Sequence, residues 1–304
     1  MAARGLTKRF GAFTAVDGID FEVRAGEVFG FLGPNGAGKT STMRMIAAVS
    51  PVTSGTLWVL GRDPSVDGPQ IRARIGVVPQ ENNLDEELSV ADNLFIYGRY
   101  FGLPRATIRA RIGELLAFAQ LEDRADDKVT VLSGGMKRRL VIARALINQP
   151  SMVLLDEPTT GLDPQARHLV WERLRSLTGQ GVTLLLTTHY MDEAEQLCDR
   201  LLVMSDARIV AEGAPRDLID EHAGREVLEL RFAPGGQQAA LDPLRGIGTR
   251  QEVLPDRVIL YGDDAERLAA AVNGRGVTVR SMLVRRASLE DVFLRLTGRA
   301  LIES

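Results

Sequence analysis

Cysteine is almost missing from this chain. Of 304 residues only Cys198 carries a thiol, so no disulfide can form within it. That suits a reducing compartment. Cys198 lies in the helical-looking run "MDEAEQLCDR" and reads as a packed core thiol. Lysine is also scarce: Lys8, Lys39, Lys128 and Lys137 are the only ones, and every other cationic side chain is arginine or histidine. Against that background Lys39 marks a position where lysine itself is required. An excess of charge of one sign is absent too. Lys+Arg number 37 and Asp+Glu 40, a net charge of -3 that gives no ground for nucleic-acid binding. No apolar run nears the ~20 residues of a membrane helix, and the longest candidate, "VTLLLTTH", reads as a buried strand. The opening "MAARGLTKRF" has no apolar stretch of a secretory signal. The expectation is a chain soluble by itself, whose membrane role, if any, comes through a partner.

What is present is ordinary globular composition, 45% hydrophobic and 25% charged, over a length that favours two domains. Residues 1 to about 220 alternate strand-like and helix-like segments. The strands are "EVFGFLG" (27–33), "IGVVPQ" (75–80), "SMVLLDEP" (151–158) and "VTLLLTTH" (182–189). The helices include "KTSTMRMIAAV", "SVADNLFIYGRYFGL", "RATIRARIGELLAFAQL", the run 136–148 and "PQARHLVWERLRSLTGQ". This order implies a mainly parallel sheet covered by helices. Its glycines, carboxylates and histidine all fall at strand C-terminal ends, where open α/β sheets bind ligands. From about 85 to 135 the chain is helix-rich and lacks strands. From about 225 the texture changes to half-exposed strands, "EVLELRF", "DRVILYG" and "GVTVRSMLVRR", with helices "DDAERLAAAVNGRG" and "SLEDVFLRLTG". The last carries Ser288 as N-cap, Asp291 in a capping-box position and Gly298 as a stop.

The chemistry concentrates in five places. "GPNGAGKT" fits the P-loop pattern, with Gly33, Gly38, Lys39 and Thr40 at the defining positions. Successive backbone N–H groups and a helix N-terminus there suit phosphate, Lys39 can reach the β- and γ-phosphates, and the Thr40 hydroxyl can ligate Mg²⁺. "VLLDEP" supplies Asp156 for Mg²⁺ and Glu157 as a base for water. Gln80 can offer an amide oxygen to Mg²⁺ or water, and His189 can hydrogen-bond a γ-phosphate. "LSGGMKRRL" sets Ser133, Gly134 and Gly135 before a helix, a second anion-facing element.

P-loop, glutamine, "LSGG", "LLDEPTTGLD" and histidine follow one another in an order that resembles the ATP-binding cassette (ABC) ATPase family over residues 1 to about 220. The N-K-x-D of Ras-like GTPases is absent. The resemblance implies an α/β fold, a P-loop NTPase domain of ABC type with a mixed sheet and a helical subdomain at about 85–135. A small α+β domain, 225–304, follows. It implies ATP and Mg²⁺. Gly33, Pro34, Asn35, Gly36, Ala37, Gly38, Lys39, Thr40 and Ser41 would then bind nucleotide as Walker A. Gln80 would be the Q-loop, and Thr40, Gln80 and Asp156 would serve the metal. Glu157 would be the catalytic glutamate, with Lys39, Gln80 and the switch histidine His189 assisting. Ser133, Gly134 and Gly135 would be the signature, and "TGLD", ending at Asp163, the D-loop. The family's adenine-stacking aromatic would be Phe10, with Phe13 in reserve and a core role as the alternative. Two departures stand out. Met136 takes the place of the usual signature glutamine. Little strand precedes Gly5, which predicts a truncated first strand or a misassigned start.

A finer resemblance, in "GFLGPNGAGKTSTMRMI", "LSGGMKRRL", "EPTTGLDPQAR", "TTHYMDEAE" and "SLEDVFLRLTG", is to the daunorubicin-resistance-type drug-export ATPases. It implies pairing with a second copy of the chain, two ATP molecules bridging a two-fold interface, and a separately encoded membrane permease. The chain would lie on the cytoplasmic face of the membrane, peripheral through that permease, with its docking surface at about Asp92 to Arg105. Cargo could be drug, antibiotic or lipid. The competing readings are a soluble ABC protein acting on ribosome or nucleic acid, which usually carries two cassettes, and a non-hydrolysing regulatory cassette, which intact Glu157 and His189 oppose. The C-terminal domain could regulate, stabilise the dimer, touch the permease, or ride passively.

Overall fold

The computed structural model describes residues 1–233 and 236–298. Its first elements are β1 (Ala2–Phe10), β2 (Phe13–Glu22), β3 (Val28–Leu32), α1 (Lys39–Ile46), β4 (Ser54–Trp58), α2 (Gly68–Arg72) and β5 (Ile75–Val78). The helical stretch holds α3 (Val90–Tyr100), α4 (Arg105–Ala119) and α5 (Gly134–Ala145). Then come β6 (Met152–Asp156), α6 (Pro164–Thr178), β7 (Thr183–Thr188), α7 (Met191–Leu197), β8 (Arg200–Ser205) and β9 (Arg208–Gly213). The remainder is α8 (Pro215–His222), β10 (Glu226–Arg231), α9 (Gly236–Leu244), β11 (Arg250–Val253), β12 (Arg257–Gly262), α10 (Ala265–Gly274), β13 (Ser281–Arg286) and α11 (Leu289–Thr297). The chain divides into two compact units, Met1–Glu212 and Gly213–Ser304. The boundary of about 220 read from the sequence falls inside α8.

In the first unit a six-stranded sheet runs β5-β6-β7-β3-β8-β9. The pairs β5–β6, β6–β7, β7–β3 and β3–β8 are all parallel. Parallel strands are buried on both faces and read as unbroken apolar runs. β3 "VFGFL" and β7 "TLLLTT" are buried at every position. A separate three-stranded sheet, β2-β1-β4, pairs antiparallel and packs its buried face into the same core. Together the two sheets give the unit its mixed character. Phe21, Phe29 and Phe31 cluster between them, with ring centroids 5.4–6.2 Å apart.

The first strand is not truncated. β1 is nine residues long, and Gly5 adopts φ +56 at a register shift between Ala3 and Leu6. A glycine in the left-handed region lets a strand bulge and continue, so the residues before Gly5 still pair with Phe21 and Glu22.

The second unit is a four-stranded antiparallel sheet, β11-β12-β10-β13. Helices α9 and α10 cover one face through Leu244, Leu268 and Val272 against Leu228, Leu230 and Leu260. α11 begins with the capping box expected from the sequence: the Ser288 N–H donates to Asp291 Oδ2 at 2.9 Å. Gly298 closes the helix at φ +66. Sequence reasoning assigned no helix to α9, whose glycine lead and internal Pro243 argue for a loop. Packing of Ala240 and Leu244 into the core overrides that local signal.

Candidate functional site

Four parallel strands deliver the expected residues to one edge of the sheet. Asp156 is registered opposite Thr187 and Leu32 opposite Thr188. The loops leaving β3, β5, β6 and β7 therefore start side by side. They carry the P-loop, Gln80, Asp156–Glu157 and His189. The Gly33 N–H also donates to the Thr188 carbonyl at 3.3 Å, joining P-loop to the histidine strand.

The P-loop is shaped by close backbone approach. A Cβ on Gly33 would lie 2.4 Å from the Met204 carbonyl. Gly38, at φ +101, would put one 2.4 Å from the Ala15 carbonyl. Pro34 accepts the Ala37 N–H at 3.2 Å. Asn35 and Gly36 are exposed at the loop's crest, Ala37 is buried, and Ser41 sits half-buried in the first turn of α1. Lys39 is buried beneath, donating to the Gly33 and Pro34 carbonyls at 2.6 and 3.0 Å. Burial pushes its pKa down, and the nearby charges of Glu157 and Asp156 oppose that. The ammonium is thus held under the loop, facing the carboxylates.

Asp156 ends β6 and accepts the hydroxyl of Thr40 at 3.3 Å and that of Thr187. Among the described residues no group of three or more His, Cys, Asp or Glu side chains could hold a metal. Thr40 beside Asp156 instead fits Mg²⁺, which binds through one or two protein oxygens, substrate phosphates and water.

Glu157 is buried and its backbone is left-handed, φ +46. Such a conformation costs of order 1–3 kcal/mol in a non-glycine residue and persists only when neighbours enforce it. Here the N–H donates to both the carbonyl and the hydroxyl of Thr187, each at 3.1 Å. Its Oε2 accepts from Gln80 Nε2 and Thr160 Oγ1, each at 3.2 Å. His189 Nδ1 lies 3.2 Å from Oε1, outside hydrogen-bond alignment. Gln80, Glu157 and His189 therefore meet in one cluster. A carboxylate so fixed between an amide and an imidazole can orient and deprotonate a water.

The signature segment stands on α5. Ser133 caps the helix, its Oγ accepting the Met136 N–H at 3.3 Å. That leaves the hydroxyl proton to donate. The cap moves the helix start to Gly134, two residues earlier than the sequence placed it. Ser133 and Gly134 face solvent and Gly135 is half-buried. Asp163 caps α6, accepting the Ala166 N–H at 2.9 Å. Phe10 and Phe13 pair across the β1–β2 turn. They are 53% and 63% exposed, so neither ring is a core residue.

Sequence reasoning missed Arg138 and Arg144. Arg138 is buried and donates to the carbonyls of Pro79, Gln80, Asp156, Glu157 and Pro158. Arg144 holds the Asn82 and Asn83 carbonyls and stacks over Tyr97 at 4.7 Å. The signal was present: Arg138 falls in phase with buried Val141, Ile142 and Ala145. A cation on the apolar stripe of a helix needs buried partners. It also missed Thr187 and Thr160, which ordinary strand and loop composition hides.

Comparison with known proteins agrees with this geometry. The ABC transporter family profile matches residues 16–160. A second profile, the C-terminal domain of the nodulation factor export protein NodI, matches residues 237–298. The chain is 51% identical over 297 residues to a protein named Nod factor export ATP-binding protein I from Cupriavidus metallidurans, covering 97% of this chain and 96% of the relative. The protein of the same name from Ralstonia nicotianae is 50% identical, covering 98% and 94%. That from a Rhizobium strain is 49% identical, covering 97% and 96%. Among solved structures, an ATP-binding subunit of an ABC transporter superposes with TM-score 0.66 at 29% identity, covering 73% of this chain and 93% of its own. A dimeric ATP-binding cassette in a post-hydrolysis state with ADP and Pi gives TM-score 0.64 at 27% identity, covering 70% and 97%. With the P-loop, the Asp156–Glu157 pair and the exposed signature all built on this fold, the chain belongs to the ABC transporter family, among its ATP-binding, ATP-hydrolysing proteins.

Proposed function

We propose that this ATPase powers an exporter of the Nod factor type, acting through a separately encoded permease. The observation that carries the reading is similarity along nearly the whole chain, second unit included, to proteins named for Nod factor export. Drug and antibiotic efflux, which the motif resemblance suggested, has no counterpart in the names of these relatives. A ribosomal or nucleic-acid role is not favoured either.

In the proposed mechanism the P-loop amides from Asn35 to Thr40 and the Ser41 region cradle the phosphates, and Phe10 stacks on the adenine. Lys39 leaves its loop carbonyls for the β- and γ-phosphates. Thr40 and Asp156, with Gln80 nearby, would hold Mg²⁺, which when bound neutralises charge on the phosphates. Glu157 takes the proton of an attacking water, while Gln80 and His189 keep water and γ-phosphate in line. Ser133, Gly134 and Gly135 act on the nucleotide held by a second copy, whose own signature completes this site, and Asp163 shapes the contact. Electrostatic stabilisation by Lys39 and the opposing Ser133 needs no reorganisation during the reaction. The dimeric cassette with ADP and Pi supports the two-copy arrangement.

The docking surface belongs to α3. A cleft of about 560 Å³ is lined by Tyr97, Phe101, Val77, Arg72 and Arg44, and Thr40 and Asp156 also line it. Among the described residues no helix is long and apolar enough to cross a membrane. Because the cleft reaches Thr40 and Asp156, a permease segment seated here would sense that part of the site. The test is ATP turnover by the chain co-purified with the membrane permease that it pairs with in this reading. Stimulation by Nod factor and not by amphipathic drugs is the expected result. Stimulation by drugs alone would return the cargo to the drug-export class.

A further inference from the structure

Arg138 turns inward from the helix whose N-terminus is the exposed signature. Its side chain is 3% exposed. Its guanidinium reaches two separate segments. After β5 it donates to Pro79 and Gln80 at 2.6 and 3.1 Å. After β6 it donates to Asp156, Glu157 and Pro158 at 3.1, 3.0 and 2.6 Å. All the acceptors are main-chain carbonyls, so the contact fixes backbone rather than neutralising a partner. The five carbonyls match the five N–H donors of a guanidinium fork, whereas a lysine ammonium has three and no fixed fork. Burial lowers the Arg138 pKa to about 10, against the opposing charges of Glu193, Asp156 and Glu157, and the group stays charged at neutral pH.

The two bridged segments are the ones whose side chains meet in the site: Gln80 Nε2 contacts Glu157 Oε2 at 3.2 Å. Arg138 stands about 7.5 Å along the axis from Ser133, at 1.5 Å rise per residue. A hydrogen-bonded helix transmits displacement over that span, so a shift of the signature end moves the fork and both loops with it.

We propose that Arg138 is a positioning residue that ties the signature of each copy to the Gln80–Glu157 pair of the same copy. Nucleotide engaged at the signature then sets the alignment of the base in that copy's own P-loop site, and this couples the two sites of the dimer. The proposal rests on the hydrolysis and two-copy readings above and adds a route between the sites.

The test is steady-state ATP turnover by the full chain with its permease, for the unaltered chain, Arg138→Lys and Arg138→Gln, each with and without Glu157→Gln. ATP binding by the isolated variants is measured alongside. Both Arg138 variants should lower kcat by about 10²-fold, the cost of a small misplacement of a reacting group. KM and ATP binding should stay unchanged, and the Hill coefficient for ATP should fall toward unity. On the Glu157→Gln background they should cause no further loss, because Arg138 acts through Glu157. Unchanged kcat and Hill coefficient would overturn the proposal. So would loss of ATP binding in step with kcat in both variants, which would make Arg138 a support of the fold alone. Additive losses with Glu157→Gln would overturn it too. If the unaltered chain turns over no ATP, the hydrolysis reading fails first and the coupling falls with it.

Discussion

Glu157 joins a strained backbone, a buried carboxylate and contacts to Gln80, Thr160 and His189. Thr187 explains how that holds together. Its hydroxyl donates to Asp156 and accepts the Glu157 N–H, so one β7 side chain sets both acids. Glutamine keeps the size of Glu157 but cannot take a proton. The variant Glu157→Gln should bind ATP normally and turn over about 10²–10⁴-fold more slowly, the usual weight of a general base. Turnover at the unaltered rate would remove Glu157 from that role. Lys39, Asp156 and Glu157 were legible in the sequence because each ends or follows an apolar strand in a recognisable motif. Thr187 was not, since a threonine in "LLLTTH" is also what β-propensity alone would put there.

At the scale of elements, the parallel strands could be read because burial on both faces leaves apolar runs with nothing else to explain them. The β2-β1-β4 sheet could not, because its strands mix exposed and buried positions irregularly across register shifts. α9 was hidden by Pro243 and glycine, and only the tertiary core reveals it. α11 was read correctly down to its cap, and its cap residue does more than cap. Asp291 is 1% exposed and takes two bonds from Arg285, at 2.7 and 2.8 Å, while Tyr261 Oη lies 3.2 Å from its Oδ1. Burial alone would raise the Asp291 pKa, but Arg285 and Ser288 outweigh it and hold the carboxyl below its usual value. A depressed folded pKa contributes stability above the unfolded value and loses it as pH falls through the folded one. Asp291→Asn should therefore destabilise the second unit by about 3 kcal/mol at neutral pH, as loss of one partner of a buried pair does. In denaturant melts the gap between variant and parent should narrow below about pH 4, the ordinary aspartate range. A gap independent of pH down to acid unfolding would mean the Arg285 pairing carries no charge-linked stability.

For the whole molecule the decisive feature of the proposed mechanism is a nucleotide site completed by a second copy. The P-loop, Asp156 and Glu157 gather at one sheet edge, whereas Ser133 and Gly134 face solvent on α5. "LSGGMKRRL" looked in the sequence like a second phosphate cradle. In the structure its Ser133–Gly134 end is exposed, while buried Arg138 donates to the Asp156 and Glu157 carbonyls of the same chain. Ser133→Arg should accordingly abolish turnover while ATP binding by the isolated chain is kept. Collapse of that binding would assign the signature to the same chain's nucleotide.

The most direct measurement is an ATP-dependent cross-link between two copies. Cys198 is buried and will not compete with introduced thiols. In the Glu157→Gln background, Asn35→Cys on the exposed crest of the P-loop is mixed with a second chain carrying Met136→Cys. A short bis-maleimide should join the two chains in the mixture, only with ATP present and in neither variant alone. Cross-linking confined to a single chain carrying both substitutions, or none in the mixture with ATP, would contradict a signature that serves the partner's nucleotide.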